Sequence, residues 1–144
     1  MSAGQTAVLA VLVTGCRMAG QVDKGFAILA KAMALIESTG ERFWEAELYR
    51  LKGELTLKRP EAGSDPTVKE EAESCFWQAI EVARRQSAKS WELRATTSLA
   101  RLLAKQGRRD EARSMLAEIY GWFTEGFDTR DLKDAKALID ELTA

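Results

Sequence analysis

A spacing pattern that recurs three times along the chain constrains its fold more than any other feature. Gly20-x4-Gly25-x3-Leu29-x2-Ala32, Ala72-x3-Phe76-x2-Ala79 and Gly107-x4-Ala112-x3-Leu116-x2-Ile119 share one arrangement. A small residue is followed four positions later by a large apolar one, and three further on by another apolar side chain. Steps of four and three return to the same side of an α-helix. The small residue lets a neighbouring helix approach closely, and the large one fills the space beside it. Ala72 and Ala112 lie 40 residues apart, whereas Gly25 and Ala72 lie 47 apart. The surplus falls in Arg59-Pro60-Glu61-Ala62-Gly63-Ser64-Asp65-Pro66, the stretch that holds both prolines. An insertion in one connecting loop of a regular repeat accounts for it.

Each repeat divides into two helices, expected over 5–19 and 22–39, 41–58 and 67–87, and 90–106 and 109–123. Gly20, Gly40 and Gly107 fall where helices end, the place for a left-handed C-terminal cap. Thr67-x-x-Glu70 reads as a capping box that opens the fourth helix. After Thr124-Glu125-Gly126-Phe127, Asp128 or Thr129 starts a seventh helix over 129–142, with Leu132, Ala135, Leu138, Ile139 and Leu142 on one face. The predicted fold is therefore all-α. It is an α-solenoid of three antiparallel helix pairs (about 5–39, 41–87 and 90–123) with a C-terminal capping helix, one domain over 1–144. A closing helix suits such a stack, whose last pair otherwise exposes an apolar face. Composition agrees: apolar residues at 46% and charged residues at 30% fit a globular chain and exclude a disordered one.

The small-large-small signature and the helix-pair period are similar to tetratricopeptide repeats, although the period here is somewhat longer. The first-helix signature of those repeats survives only in shifted form, as Tyr49, Leu51 and Gly53. Longer motifs carry a closer resemblance across nearly the whole chain. Glu41-Arg42-Phe43-Trp44-Glu45-Ala46-Glu47-Leu48-Tyr49-Arg50-Leu51-Lys52-Gly53-Glu54-Leu55 is one, and Ala88-Lys89-Ser90-Trp91-Glu92-Leu93-Arg94 another. The third is Tyr120-Gly121-Trp122-Phe123-Thr124-Glu125-Gly126-Phe127-Asp128-Thr129-Arg130-Asp131-Leu132. Together they resemble the C-terminal helical-repeat region of large bacterial signalling proteins. In those, an adenylate or guanylate cyclase domain or a DNA-binding domain precedes an NTPase domain, and the repeats come last. The resemblance implies a C-terminal sensor or interaction part, cut from a larger protein or encoded alone. It implies no catalytic residue. The chain departs from the pattern at Ser87, where a glycine would end the fourth helix, and a less sharp turn is expected there.

Catalytic classes find little support. With no histidine, His-based triads, His acid–base catalysis and His metal sites are all removed. Neither G-x-x-x-x-G-K-[ST] nor G-x-G-x-x-G occurs, so no sequence motif cradles a nucleotide. Glu70, Glu71 and Glu73 sit at a helix start, where the dipole favours acids, and read as a solvated face. Neither a cofactor nor a metal is expected, and the reading is of a non-enzyme. Cys16 and Cys75, 59 residues apart and outside any C-x-x-C, read as buried thiols of a reducing cytosol. The apolar run Ala7–Val13 precedes Val13-Thr14-Gly15-Cys16, which loosely resembles a lipoprotein cleavage box. The first charge is Arg17, so the basic region of a signal peptide is missing, and the run is too short to span a bilayer. A buried first helix and a cytoplasmic location are expected. The aromatic cluster Trp122, Phe123 and Phe127 is expected to pack the closing helix onto the stack, and Trp44, Trp77 and Trp91 to wedge near helix ends.

In tetratricopeptide stacks the first helix of each pair lines a concave face on which peptides bind. Setting Gly53 and Ala100 at matching positions transfers that face to Glu47, Arg50, Glu54, Leu57 and Lys58, and to Arg94, Thr97, Arg101, Ala104 and Lys105. The first repeat adds Thr14, Arg17 and Met18. Arg17, Arg50, Lys58, Arg94, Arg101 and Lys105 outnumber Glu47 and Glu54 there, although the whole chain is nearly neutral at −1. Such a groove suits an acidic peptide or a carboxylate-bearing partner. The same residues also read as a solvated helix face with pairs such as Glu54–Lys58. The net charge gives no nucleic-acid or membrane signature. Two other readings stay open: self-association into a homodimer through the apolar residues 7–13, and small-ligand sensing in the groove.

Overall fold

The computed structural model describes residues 2–144, with side chains over 4–144, and every regular element among them is helical. In chain order the helices are α1 (Ser2–Met18), α2 (Val22–Thr39), α3 (Glu45–Thr56), α4 (Pro66–Arg85), α5 (Lys89–Lys105), α6 (Arg109–Tyr120) and α7 (Arg130–Thr143). A 3-10 turn at Pro60–Gly63 lies between α3 and α4. No helix among the described residues is long and apolar enough to cross a membrane.

Three connections are one turn used three times. Gly20, Ser87 and Gly107 each adopt positive φ (74°, 54° and 81°) two residues past the ends of α1, α4 and α5. In each, the amide of the following residue bonds the carbonyl five residues back: Gln21 to Cys16, Ala88 to Ala83, and Arg108 to Leu103, at 2.8–2.9 Å. The left-handed residue's own amide bonds three back, to Arg17, Arg84 and Ala104. This is the Schellman closure, which satisfies carbonyls left open at a helix end. The carbonyls of Gln21, Ala88 and Arg108 then accept from Gly25, Glu92 and Ala112, so one residue ends the closure and begins the next helix. The turn expected to be blunter at Ser87 is thus as sharp as the others. A side chain in this region costs roughly 1 kcal/mol relative to glycine, and the closure's hydrogen bonds hold it there. The expected capping box is also corrected. Asp65, not Thr67, caps α4: its Oδ1 accepts from the Thr67 amide at 3.0 Å and from the Thr67 hydroxyl at 2.7 Å, with Pro66 at the first helical position. Those two donors hold the Asp65 carboxyl below the usual carboxylate range.

The chain divides into two compact units, Met1–Ala79 and Ile80–Ala144, and the boundary falls inside α4. In the first unit, Ala10 and Val13 of α1, Leu29, Ala32 and Ile36 of α2, and Leu48, Leu51 and Leu55 of α3 form one core. Gly25 and Gly53 show why small residues recur at these positions. A Cβ on Gly25 would stand 2.9 Å from Leu55 Cδ2, and one on Gly53 would stand 2.5 Å from the ring of Phe76, which is wholly buried. Removing these side chains is what lets α2 lie on α3, and α3 on the ring of Phe76. In the second unit α5 packs against α6, and α7 packs against both. Ala112, Leu116 and Ile119 of α6 are buried, as are Leu132, Ala135, Leu138 and Leu142 of α7, while Ile139 is only half-buried. All nine residues of the repeating small-large-apolar pattern, from Gly25 to Ile119, are buried.

Candidate partner-binding site

The residues expected to form a basic face divide into those that are internally committed and those that are free. On α3, Glu47 is only 5% exposed, and Arg50 holds it with Nε–Oε1 and Nη2–Oε2 contacts of 2.8 Å each. The same guanidinium reaches Glu54 at 3.6 Å. Successive turns of one helix thus carry acid, base and acid in a ladder, the usual i,i+3 and i,i+4 geometry. Glu54 turns to Arg50 and not to Lys58, which is exposed and forms no ion pair among the described residues. Arg17 sits half-buried in the last turn of α1, its Nε enclosed without a hydrogen-bond partner.

On α5, Arg94 is committed as well. It grips Asp131 of α7 with two contacts, 3.3 and 3.1 Å, and its guanidinium carbon lies 5.5 Å from the centre of the Trp91 ring. Thr97 is buried, and its hydroxyl donates back to the Leu93 carbonyl at 2.8 Å. Arg94 keeps further N–H donors and 38% of its side chain exposed, whereas Thr97 is closed off by burial. Arg101 and Lys105, one turn apart further along α5, are exposed and carry no ion pair among the described residues.

Arg101, Ala104 and Lys105 of α5, Arg109 of α6 and Leu138, Glu141 and Leu142 of α7 line a groove of about 330 Å³. The positive-φ turn at Gly107 returns the chain so that Arg109 joins the two α5 cations. One Arg109 nitrogen donates to the Glu141 carbonyl at 2.9 Å, which fixes its guanidinium in the lining. Three cations and three apolar side chains, with Glu141 as the acidic residue, share this lining, an arrangement chemically suited to an anionic group attached to an apolar one. Reading first helices alone missed Arg109, because it belongs to a second helix and only the turn brings it in.

Two surfaces were not anticipated in this form. Trp122 is 57% exposed and stacks edge-on with Phe123 at 5.1 Å, and exposed Phe127 lies 5.7 Å from Tyr120. These rings lean on one another at the surface, and the Lys89 ammonium lies 5.6 Å from the Trp122 ring. Trp77 lies in the interior of α4, not near an end, whereas Trp44 and Trp91 do sit at helix starts. The apolar run in α1 is buried on one side only. Ala10 and Val13 are in the core, but Val8, Val11, Leu12 and Met18 stand out in solvent. Beside them, an apolar groove of about 710 Å³ runs between α1 and α2, with Val8, Leu9, Ala34 and Leu35 among its walls and Lys31 at its edge.

Comparison of the chain with protein-family models, with curated proteins and with solved structures returns no match.

Proposed function

We propose that the chain is a non-catalytic protein-interaction module of the stacked helix-pair type. In this reading it is an α-solenoid of tetratricopeptide-like pairs closed by α7. It belongs to the C-terminal part of a cytoplasmic bacterial signalling or transcription-regulating protein, as the sequence resemblance implies. Its partner is an acidic peptide segment with an apolar side chain next to the acid.

The observation that carries this is the groove beside α5. Arg101 and Lys105 have no ion-pair partner among the described residues, Arg109 shares their groove, and Ala104, Leu138 and Leu142 line it too. The acid contacts the cations, and its apolar neighbour packs against those three side chains. Arg50 and Arg94 already hold acids of the chain, so this reading rests on the other two α5 cations, Arg101 and Lys105.

The test is fluorescence anisotropy with a labelled peptide alternating Glu and Leu, measured on the wild-type chain and on Arg101→Glu/Lys105→Glu. Exposed ion pairs contribute about 0.2–1 kcal/mol each and reversal adds repulsion of similar size, so the double reversal is expected to weaken binding by roughly 10-fold. Raising the salt from about 0.05 to 0.5 M should also weaken the wild-type complex, since these cations are exposed. Affinity unchanged by the reversal, with helicity intact by circular dichroism, overturns the reading.

A further inference from the structure

The outer face of α1 presents Gly4, Val8, Val11, Gly15 and Met18, spaced four, three, four and three residues apart. All five are exposed, with Val11 at 70% and Met18 at 75%. Alternating steps of four and three keep a seam on one side of a helix and suit it to receive a second helix. A Cβ on Gly4 or on Gly15 would meet nothing within 4 Å, so no neighbour inside this chain requires either glycine. A glycine inside a helix costs roughly 0.5–1 kcal/mol relative to alanine, and here the monomer gains no packing in return.

The order of sizes along the seam is small, large, large, small, large. Reversed and laid against itself about Val11, it sets Gly4 opposite Met18, Val8 within one residue (about 1.5 Å) of Gly15, and Val11 beside Val11. Every bulky residue away from the axis then lies at or beside a missing side chain. The parallel alignment instead sets glycine on glycine and Met18 on Met18, leaving two voids and one collision. Met18, the most flexible of the five, comes to Gly4 at the mouth of the α1–α2 groove, where an adaptable side chain fills an irregular space.

Charge selects the same occupant. The outer face carries no charged residue from Gly4 to Met18; Arg17, the one charge in that span, is half-buried off the seam. Along the α1 seam an acidic or basic partner has nothing to read, the nearby Lys31 belonging to α2, and a second copy meets no like-charge repulsion on that seam. Val8, Val11, Leu12 and Met18 present roughly 400 Å² of apolar surface, an ordinary size for a functional patch. A two-fold contact that covers this patch on both copies buries roughly 800 Å² in total, the size of a weak, reversible interface. We propose that this face is the seat of a second copy of the chain, paired antiparallel through α1 about Val11, in a concentration-dependent homodimer.

Sedimentation velocity of the whole chain, from roughly 10 to 500 µM so as to bracket a small interface, tests it. A reversible shift from monomer to dimer is expected. Val11→Arg sets two cations against each other at the axis and is expected to raise the dimer midpoint at least about tenfold. Gly15→Ala adds a methyl where Val8 of the second copy must fit. It should weaken the dimer while raising the monomer's helicity, opposite signs that a mere folding defect cannot produce. Met18→Cys should remain uncrosslinked under mild oxidation whereas Val11→Cys links to itself. A chain monomeric throughout the range, a dimer indifferent to Val11→Arg and Gly15→Ala, or self-crosslinking at Met18→Cys overturns the proposal. Val11→Arg leaves the α5 groove intact, so its peptide affinity reports on the proposed function separately.

Discussion

α1 and α7 are both helices with an apolar stripe, yet the chain treats them oppositely. α7 buries Leu132, Ala135, Leu138 and Leu142 against α5 and α6 and turns Lys133, Lys136, Asp140 and Glu141 outward. Lys136 and Asp140 even pair on that outer side at 2.7 Å, which lifts the lysine above its usual range. α1 buries Ala10, Val13 and Cys16 within its own unit but turns Val8, Val11, Leu12 and Met18 outward. One helix has its polarity divided between core and water; the other has an apolar face on both sides. An amphipathic stripe is explained by the core it joins. A second stripe, on the far side, has no such explanation within the chain, and it points to a contact beyond it.

Truncating side chains on the two stripes should separate them most clearly. Leu138→Ala removes a buried side chain from α7 and is expected to cost about 2–3 kcal/mol in urea unfolding. Leu12→Ala, the same change on the outer face of α1, should cost under about 0.5 kcal/mol at protein concentrations where the chain is monomeric. Equal losses would mean that the outer stripe is covered within a single chain. A smaller effect is expected at the anchor of α7. Arg94→Ala releases Asp131, and because both side chains are partly exposed the loss should be near 0.5–1 kcal/mol. It should leave the α1 stripe, and any self-association through it, unchanged. The smallest effect has the opposite sign. Ser87→Gly relieves a left-handed serine at the start of the second unit's helices, and a gain of about 0.5 kcal/mol is expected after the extra freedom of unfolded glycine is subtracted. A loss on Ser87→Gly would show that the serine side chain contributes something the turn geometry does not reveal.

Much of the helical framework was legible because two local signals agree: apolar steps of three and four, and glycines where the chain must enter the left-handed region. α2 runs over 22–39 as expected, and α6 starts at Arg109 as expected. The signals fail where another residue does the same task. Ser87 occupies the left-handed region without being glycine, held by the hydrogen bonds of its closure and not by its side chain. α3 begins at Glu45 and not at 41, because Glu41 to Trp44 lie in an irregular turn in which the Glu45 amide bonds the Arg42 carbonyl. Thr67 was a plausible cap by type, but Asp65 stands before the proline, and Pro66 fits the first helical position better than any loop position.

The candidate site was legible only in part, for a different reason. A helix register states which residues share a side, but not which cations find an acid. Arg94 is claimed by Asp131, thirty-seven positions away, and Arg50 by Glu47 at one turn's remove. Sequence periodicity treats those two arginines like Arg101 and Lys105; only tertiary packing separates them. The outer stripe of α1 was likewise present in the sequence as an apolar run, but a run without alternation of polarity does not say that half of it faces water.

The connection between α3 and α4 differs from the three closed turns, and this has a practical consequence. At Gly20, Ser87 and Gly107 one residue serves two helices, so a single insertion would break both hydrogen-bond sets at once. Residues 57–65 bear no such double duty: Pro60–Gly63 form a surface turn, and Gly63 and Ser64 are exposed. Arg59 clasps Glu71 at 3.1 Å and covers the Phe26 ring at 4.7 Å, so the loop's base is secured apart from its tip. That tip is where a peptide tag, a protease site or a fluorescent reporter could be spliced in with both flanking helices undisturbed.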